Sequence, residues 1–351
     1  MAGSKRSIIG GVDTHTATHH AVVIDRNGRL LADAEFPATP AGYASMLKWM
    51  RGKGTLGQVG VEGTGAYGAG LARYLHAQGI DVLEVPRPDR RLRRQRGKSD
   101  PIDAEAAART VLAGNASGAP KLADGPIEAI RMLRVARIGA VKARTAAVNT
   151  LRSMVITAPE SLRTQLRGLS SAQLVAACAR LRPDSTNLAE PAQAAKHALR
   201  SIALRVQHLD TEIRSLRKQL DELTRTAAPA TSAVFGLGPD TVSALLVTVG
   251  DNPDRLRSEA AFAHLCGVAP IPASSGKTNR HRLHRGGDRT GNSALHIATV
   301  VRLRYDPRSR AYADRRTTEG LSMPEIIRCQ KRYLAREVFQ TLRADYANIS
   351  T

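Results

Sequence analysis

HAVVIDRNGRLLADAEF, running from His20 to Phe36, decides how the first third of the chain folds. Two apolar, β-rich runs flank Asn27-Gly28, and both of those residues accept the positive φ that a two-residue hairpin turn demands. The stretch therefore reads as two antiparallel strands. Before it, SIIGGVD (Ser7 to Asp13) is a third β-rich run. After it come a helix around Ala41 to Met50, a strand GQVGVEG (Gly57 to Gly63), a helix around Tyr67 to His76, and a strand DVLEVP (Asp81 to Pro86).

Three meandering strands, then α, β, α, β and a final helix, follow the ribonuclease-H-like order. The expected fold class is α/β with a mixed sheet, followed by all-α regions. In that layout the first and fourth strands are neighbours, which matters for the acids discussed below.

The chain has 351 residues, enough for two or three cores, and 42% of them are apolar, which excludes a disordered polyelectrolyte. Lys and Arg number 52 against 31 Asp and Glu, a net charge of +21. Such an imbalance points to nucleic acid or to an anionic membrane surface. No apolar run approaches the ~20 residues of a spanning helix, so a membrane partner is not expected. MAGSKRSIIGGVD lacks the apolar core and cleavage site of a signal peptide. Cys178, Cys266 and Cys329 are far apart and odd in number, against both a disulfide framework and a Cys-based zinc site. A cytoplasmic, reduced, nucleic-acid-binding protein is expected.

The middle of the chain is helical. Leu199, Ile202, Val206, Leu209, Ile213, Leu216, Leu220 and Leu223 recur at alternating spacings of three and four, a heptad seam. Branched residues at central a positions with mostly Leu at d favour a parallel two-stranded coil. Arg205 would face Asp210 of a partner, and Glu212 would face Arg217. The alternative is that the same face packs antiparallel on the chain's own helix from Ile127 to Val155. TAAPATSA (Thr226 to Ala233) reads as a linker. The expected domains are residues 1–122, 123–228 and 229–351.

Four acids stand at corresponding element ends: Asp13 and Glu62 close strands, and Asp100 and Asp103 open a helix in KSDPIDA. Taken singly, Asp100 before Pro101 reads as an N-cap and Asp103 as a first-turn acid favoured by the helix dipole. Taken together beside so much positive charge, they point to a hard divalent cation, Mg²⁺ or Mn²⁺, acting on phosphodiesters. GTGAYG (Gly63 to Gly68) with Glu84 offers a dinucleotide-binding rival, which the preceding hairpin and the charge disfavour. His15, His19 and His20 have no spacing that fixes a metal geometry, and read as strand and turn positions near nucleic acid.

The basic run carries Arg90, Arg91, Arg93, Arg94, Arg96 and Lys98, suited to a nucleic-acid backbone. Gly236 and Gly238 open a helix in a turn like that of a helix-hairpin-helix, where glycines let a phosphate approach; a plain helix–helix connection fits equally. Further on, Ser274 and Ser275 stand among Lys277, Arg280, Arg282, Arg285 and Arg289. On the residues alone this is a basic phosphate-binding loop whose serines donate hydrogen bonds. A nucleophilic serine would need those guanidinium groups around its target.

GVDTH, GVEGTGAY, KSDPIDA, GLGPDTVSALLVTVGD, AFAHLCGVAP and SSGKTNRHRLHRGGDR, in that order, resemble the transposases of insertion-sequence family 110, the bridge-RNA-guided recombinases of bacterial mobile elements. The resemblance implies a RuvC-like nuclease domain, a coiled-coil dimerisation segment and a C-terminal transposase domain. It implies that Asp13, Glu62, Asp100 and Asp103 hold the metal, and that Ser275, which directly precedes Gly276, forms a covalent phosphoserine. Donor and target DNA and a non-coding bridge RNA would be the partners. A homodimer assembling to a tetramer on DNA is implied, in the bacterial cytoplasm at the nucleoid. Two alternatives remain: a RuvC-type junction resolvase or nuclease without serine chemistry, and a non-enzymatic coiled-coil nucleic-acid-binding protein.

Overall fold

The structure is a computed structural model that describes residues 6–85, 99–116, 118–120, 125–251, 256–274 and 281–349. The chain divides into two compact units, Met1–Gly125 with Gly250–Asp254, and Pro126–Val249 with Arg255–Thr351.

The first unit runs β1 (Ser7–Thr14), β2 (Thr18–Asp25), β3 (Leu30–Pro37), α1 (Pro40–Lys53), β4 (Thr55–Glu62), α2 (Ala69–Ala77), β5 (Asp81–Val85) and α3 (Asp100–Leu112). Its sheet has the order β3-β2-β1-β4-β5. β1, β2 and β3 pair antiparallel, whereas β4 lies parallel to β1 and β5 parallel to β4. This is the mixed sheet expected of a ribonuclease-H-like domain. At the β2–β3 turn Gly28 has φ +77°, and the Asp25 carboxylate accepts from the amides of Asn27 and Arg29 at 2.9 Å each. Thr39 caps α1, its hydroxyl accepting from the Gly42 amide at 3.2 Å, with Pro40 in the first turn.

The two sheet faces have different covers. Ile8, Val12, Val59 and Val61 pack with Met46, Met50, Leu71 and Leu75 of α1 and α2. On the other face Val22 and Ile24 meet Ala104 and Ala108 of α3. Contact with α3 is close because β1 and β4 present glycine there. A Cβ on Gly11 would lie 2.4 Å from the Ala108 nitrogen, and one on Gly60 would lie 2.8 Å from the Ala107 oxygen. The β1–β4 ladder also carries a register shift: Ile8 pairs with Leu56 but Ile9 pairs with Gln58, leaving Gly57 unpaired.

The second unit contains α4 (Pro126–Thr157), α5 (Glu160–Leu166), α6 (Ser171–Ala179), α7 (Pro191–Ala227), α8 (Pro229–Ser232), α9 (Pro239–Val249), α10 (Glu259–Leu265), β6 (Ile271–Pro272), β7 (His281–Arg282), α11 (Arg289–Tyr305), α12 (Pro307–Thr318) and α13 (Met323–Ile349). The heptad seam lies on α7, and it meets α4 of its own chain at both ends. Leu199 and Val206 share a core with Leu151 and Val155, and Leu220 shares one with Ile127 and Ile130. The two helices are therefore antiparallel. Between these anchor points Leu209, Ile213 and Leu216 are half-buried. Asp210, expected opposite a partner's Arg205, is ion-paired with Arg144 of α4. Small residues on α4, Ala140 and Ala147, are buried in this pair, which is what close helix approach requires.

The stretch read as a linker is packed. Ala228 and Thr231 are fully buried, and the Asp345 carboxylate of α13 accepts from the amides of Ala230 and Thr231 at 2.9 Å each. Small side chains there permit burial instead of freedom. Among the described residues, no helix is long and apolar enough to cross a membrane.

Candidate functional site

Val12 pairs with Val61 in the parallel ladder, so one step further Asp13 stands beside Glu62, both on the face covered by α3. Asp13 is 6% exposed and Glu62 is 8% exposed. The Thr14 hydroxyl donates to the Glu62 carbonyl at 2.8 Å and ties the two strand ends together.

α3 delivers the other two acids. Its N-cap is Ser99, with φ −150°, so Asp100 is the first helical residue and not the cap that the Asp-Pro pair suggests. The Asp103 amide donates to the Ser99 carbonyl at 3.1 Å, and the Asp103 side chain is 3% exposed. Both acids lie in the first turn, where the helix dipole favours negative charge.

Sequence reasoning set His15 aside for want of a fixed geometry. Its Nε2 lies 3.1 Å from Oδ2 of Asp13 and 3.2 Å from Oδ1 of Asp100. One ligand atom from each of the three falls within 4.8 Å of the others. Neither other histidine joins them. His19 stacks on Tyr43 at 5.6 Å and 4°, and burial holds its pKa below the ordinary imidazole value. His20 Nε2 meets Asp33 Oδ2 at 2.9 Å. Strand alternation separates His19 from His20, but no spacing marks His15, which lies just beyond the end of β1.

Burial raises the Asp13 pKa above the ordinary aspartate value. His15 opposes that shift, and the charges of Asp103 and Asp100 add to it. The site thus crowds negative charge into a poorly solvated corner and offers oxygen donors with one imidazole. That donor set fits a divalent cation, which would relieve the repulsion.

Arg90, Arg91, Arg93, Arg94, Arg96, Lys98, Ser275, Lys277 and Arg280 lie outside the described residues. Of the basic residues near the serines, Arg282, Arg285 and Arg289 are exposed, Arg289 opening α11 behind the Asp288 cap. Ser274 is exposed next to β6. Gly236 has φ +89°, and a Cβ there would lie 3.0 Å from the Ala298 oxygen of α11. The Gly238 amide donates to the Thr241 hydroxyl at 2.8 Å. These glycines thus serve a tight turn that packs on α11.

Residues 10–158 match the DEDD-type IS110 domain described as "Transposase". Residues 230–314 match the "Transposase IS116/IS110/IS902 family". The chain is 31% identical over 147 residues to the "Insertion element IS110 uncharacterized 43.6 kDa protein" of Streptomyces coelicolor, covering 41% of this chain and 36% of that protein. It is 30% identical over 131 residues to the "Insertion element IS900 uncharacterized 42 kDa protein" of Mycobacterium paratuberculosis, covering 36% of this chain and 33% of that protein. The matched part therefore spans about a third of each curated relative.

Proposed function

The chain belongs to the IS110 family of transposases, and from that premise we propose that it is a site-specific DNA recombinase of a bacterial insertion sequence, guided by a bridge RNA and working in the cytoplasm. The observation that carries this reading is the meeting of Asp13 with Asp100 across His15, on the sheet edge where Glu62 ends β4.

Asp13, Glu62, Asp100 and Asp103 would hold Mg²⁺ or Mn²⁺, with His15 bridging two of them. The cation supplies Lewis-acid stabilisation of the charge that builds on a phosphodiester during displacement. Burial of Asp13, Glu62 and Asp103 keeps water from competing for their oxygens. Ser275 is the proposed nucleophile. Its hydroxyl oxygen bonds to phosphorus while its proton passes to water, and the P–O bond to one strand end breaks, the leaving oxygen taking a proton from water to become a hydroxyl. The exposed guanidinium groups of Arg282, Arg285 and Arg289 would neutralise phosphates near the break. A homodimer through the middle of the α7 seam, pairing to a tetramer on DNA, would let the acids of one copy serve the serine of another.

The test is to express the gene with its flanking DNA, its guide and a target plasmid, and to isolate the protein under denaturing conditions. A DNA adduct mapped to Ser275 by peptide mass spectrometry is expected, and Asp13→Ala should abolish it. Cut DNA without any adduct would overturn the serine chemistry and favour hydrolysis by the acids alone.

A further inference from the structure

The second unit contains a cleft of about 690 Å³ that the reading above leaves without a role. His281 and Arg282 of β7, Arg316 of α12, and Arg328, Lys331 and Tyr333 of α13 contribute to its lining. Among the described residues the one acid of that lining is Glu325, which accepts from the Ser322 amide at 3.0 Å and the Ser322 hydroxyl at 2.6 Å.

Lys331 is the unusual member. It is 6% exposed, and its Nζ donates to Asn292 Oδ1 at 2.6 Å. Asn292 is fixed in turn, its amide donating to the carbonyls of Cys266 and Gly267 at 2.9 Å each. An ammonium has three donors, and no carboxylate among the described residues pairs with this one. By contrast Arg316 pairs with Glu319 and Arg332 with Glu259. A buried cation with no counter-ion is unfavourable until an anion arrives, and burial already holds the Lys331 pKa below the ordinary lysine value. At the same cleft Tyr333 is 55% exposed, its ring held at 5.7 Å and 86° by Tyr312.

The geometry points to a nucleotide subsite in this cleft: Lys331 receives a backbone phosphate of single-stranded DNA, and Tyr333 stacks on the unpaired base attached to it. The volume suits one nucleotide and not a duplex, and a cation and an exposed aromatic ring lining one cleft are the groups by which single strands are held. The lining includes Gly267 to Pro270 before β6 and His281 to His284 from β7, the two segments that flank the serine pair in sequence. The choice of DNA as the polymer rests on the recombinase reading; the subsite itself follows from the cleft.

The test uses the full chain with a short oligodeoxythymidylate carrying one 5-iodouracil, irradiated and mapped by peptide mass spectrometry. A crosslink at Tyr333 is expected. Lys331→Met and Tyr333→Leu should each lower its yield roughly fivefold or more, while Tyr305→Leu, at another exposed tyrosine of this unit, should not. Tyr333→Leu changes an exposed side chain and so keeps the test valid should Lys331→Met fail to fold. Crosslinks elsewhere with Tyr333 bare would overturn the subsite and leave the recombinase reading standing. Stronger crosslinking by the ribose version of the same oligomer would overturn DNA as its occupant. An oligomer retained at no residue, even at low salt, would sink both readings.

Discussion

A Cβ placed on Gly11 would stand 2.2 Å from the carbonyl oxygen of Ala104, so β1 and α3 meet backbone to backbone. Nothing can shift cheaply at such a contact, because the neighbour is main chain. Gly11→Ala should therefore push α3 outward and cost about 1–3 kcal/mol or more. Gly52→Ala, exposed in α1 with nothing within 4 Å, should instead stabilise by roughly 0.5–1 kcal/mol. Thermal melts of the two variants check this. Equal losses would show that the contact does not govern the seating of α3.

Asp13 predicts a pH dependence. Its folded pKa is raised, chiefly by burial, whereas the unfolded chain titrates near ~3.9. Between those two values the folded protein binds more protons. This stabilisation is complete below the unfolded value and is lost as pH rises through the folded one. Melting temperature in chelator should fall across that window for the unaltered chain and stay flatter for Asp13→Asn. Added Mg²⁺ should recover the loss at the upper end only while Asp13 is present.

Asn292 links Lys331 to the carbonyls of Cys266 and Gly267. Asn292→Ala leaves all three polar groups short of a partner, and should cost about 1–3 kcal/mol. Denaturant unfolding measures it. A midpoint unchanged from the original chain would mean that water replaces the amide at no cost.

Ile213 is half-buried in the middle of the α7 seam, away from the anchors at Leu199 and Leu220. Ile213→Asp should convert the proposed dimer to a monomer in sedimentation while leaving the helix content intact. Leu151→Ala, at a fully buried contact within the chain, should instead cost about 2–5 kcal/mol. An unchanged mass for Ile213→Asp would assign the whole seam to α4.

The strand order and the ends of β1 and β4 are legible in sequence because Asn27-Gly28 and the apolar runs are local signals. They put Asp13 and Glu62 at one sheet edge before any contact is known. His15 is not legible in the same way, since its value depends on α3 bringing Asp100 to it from 85 residues further along the chain. The partner of the seam is hidden for a related reason. A heptad describes one helix face and says nothing of what faces it, so the pairing of Asp210 with Arg144 of its own chain cannot be read from the repeat. Lys331 looks like any basic residue of a basic helix, and only the fold buries it against Asn292, 39 residues away.

The unpaired Gly57 has a consequence for how this lineage can change its length. Pairing resumes regularly from Ile9 and Gln58 onward, so losing Gly57 would straighten the ladder and keep Glu62 facing α3. Loss of Gln58 is made good by Gly57 taking its place, but loss of Val59, Gly60 or Val61 would turn over either Glu62, into the apolar layer beneath α1 and α2, or the residues before it. Deletions in β4 should therefore survive natural drift at its beginning and be purged from its end.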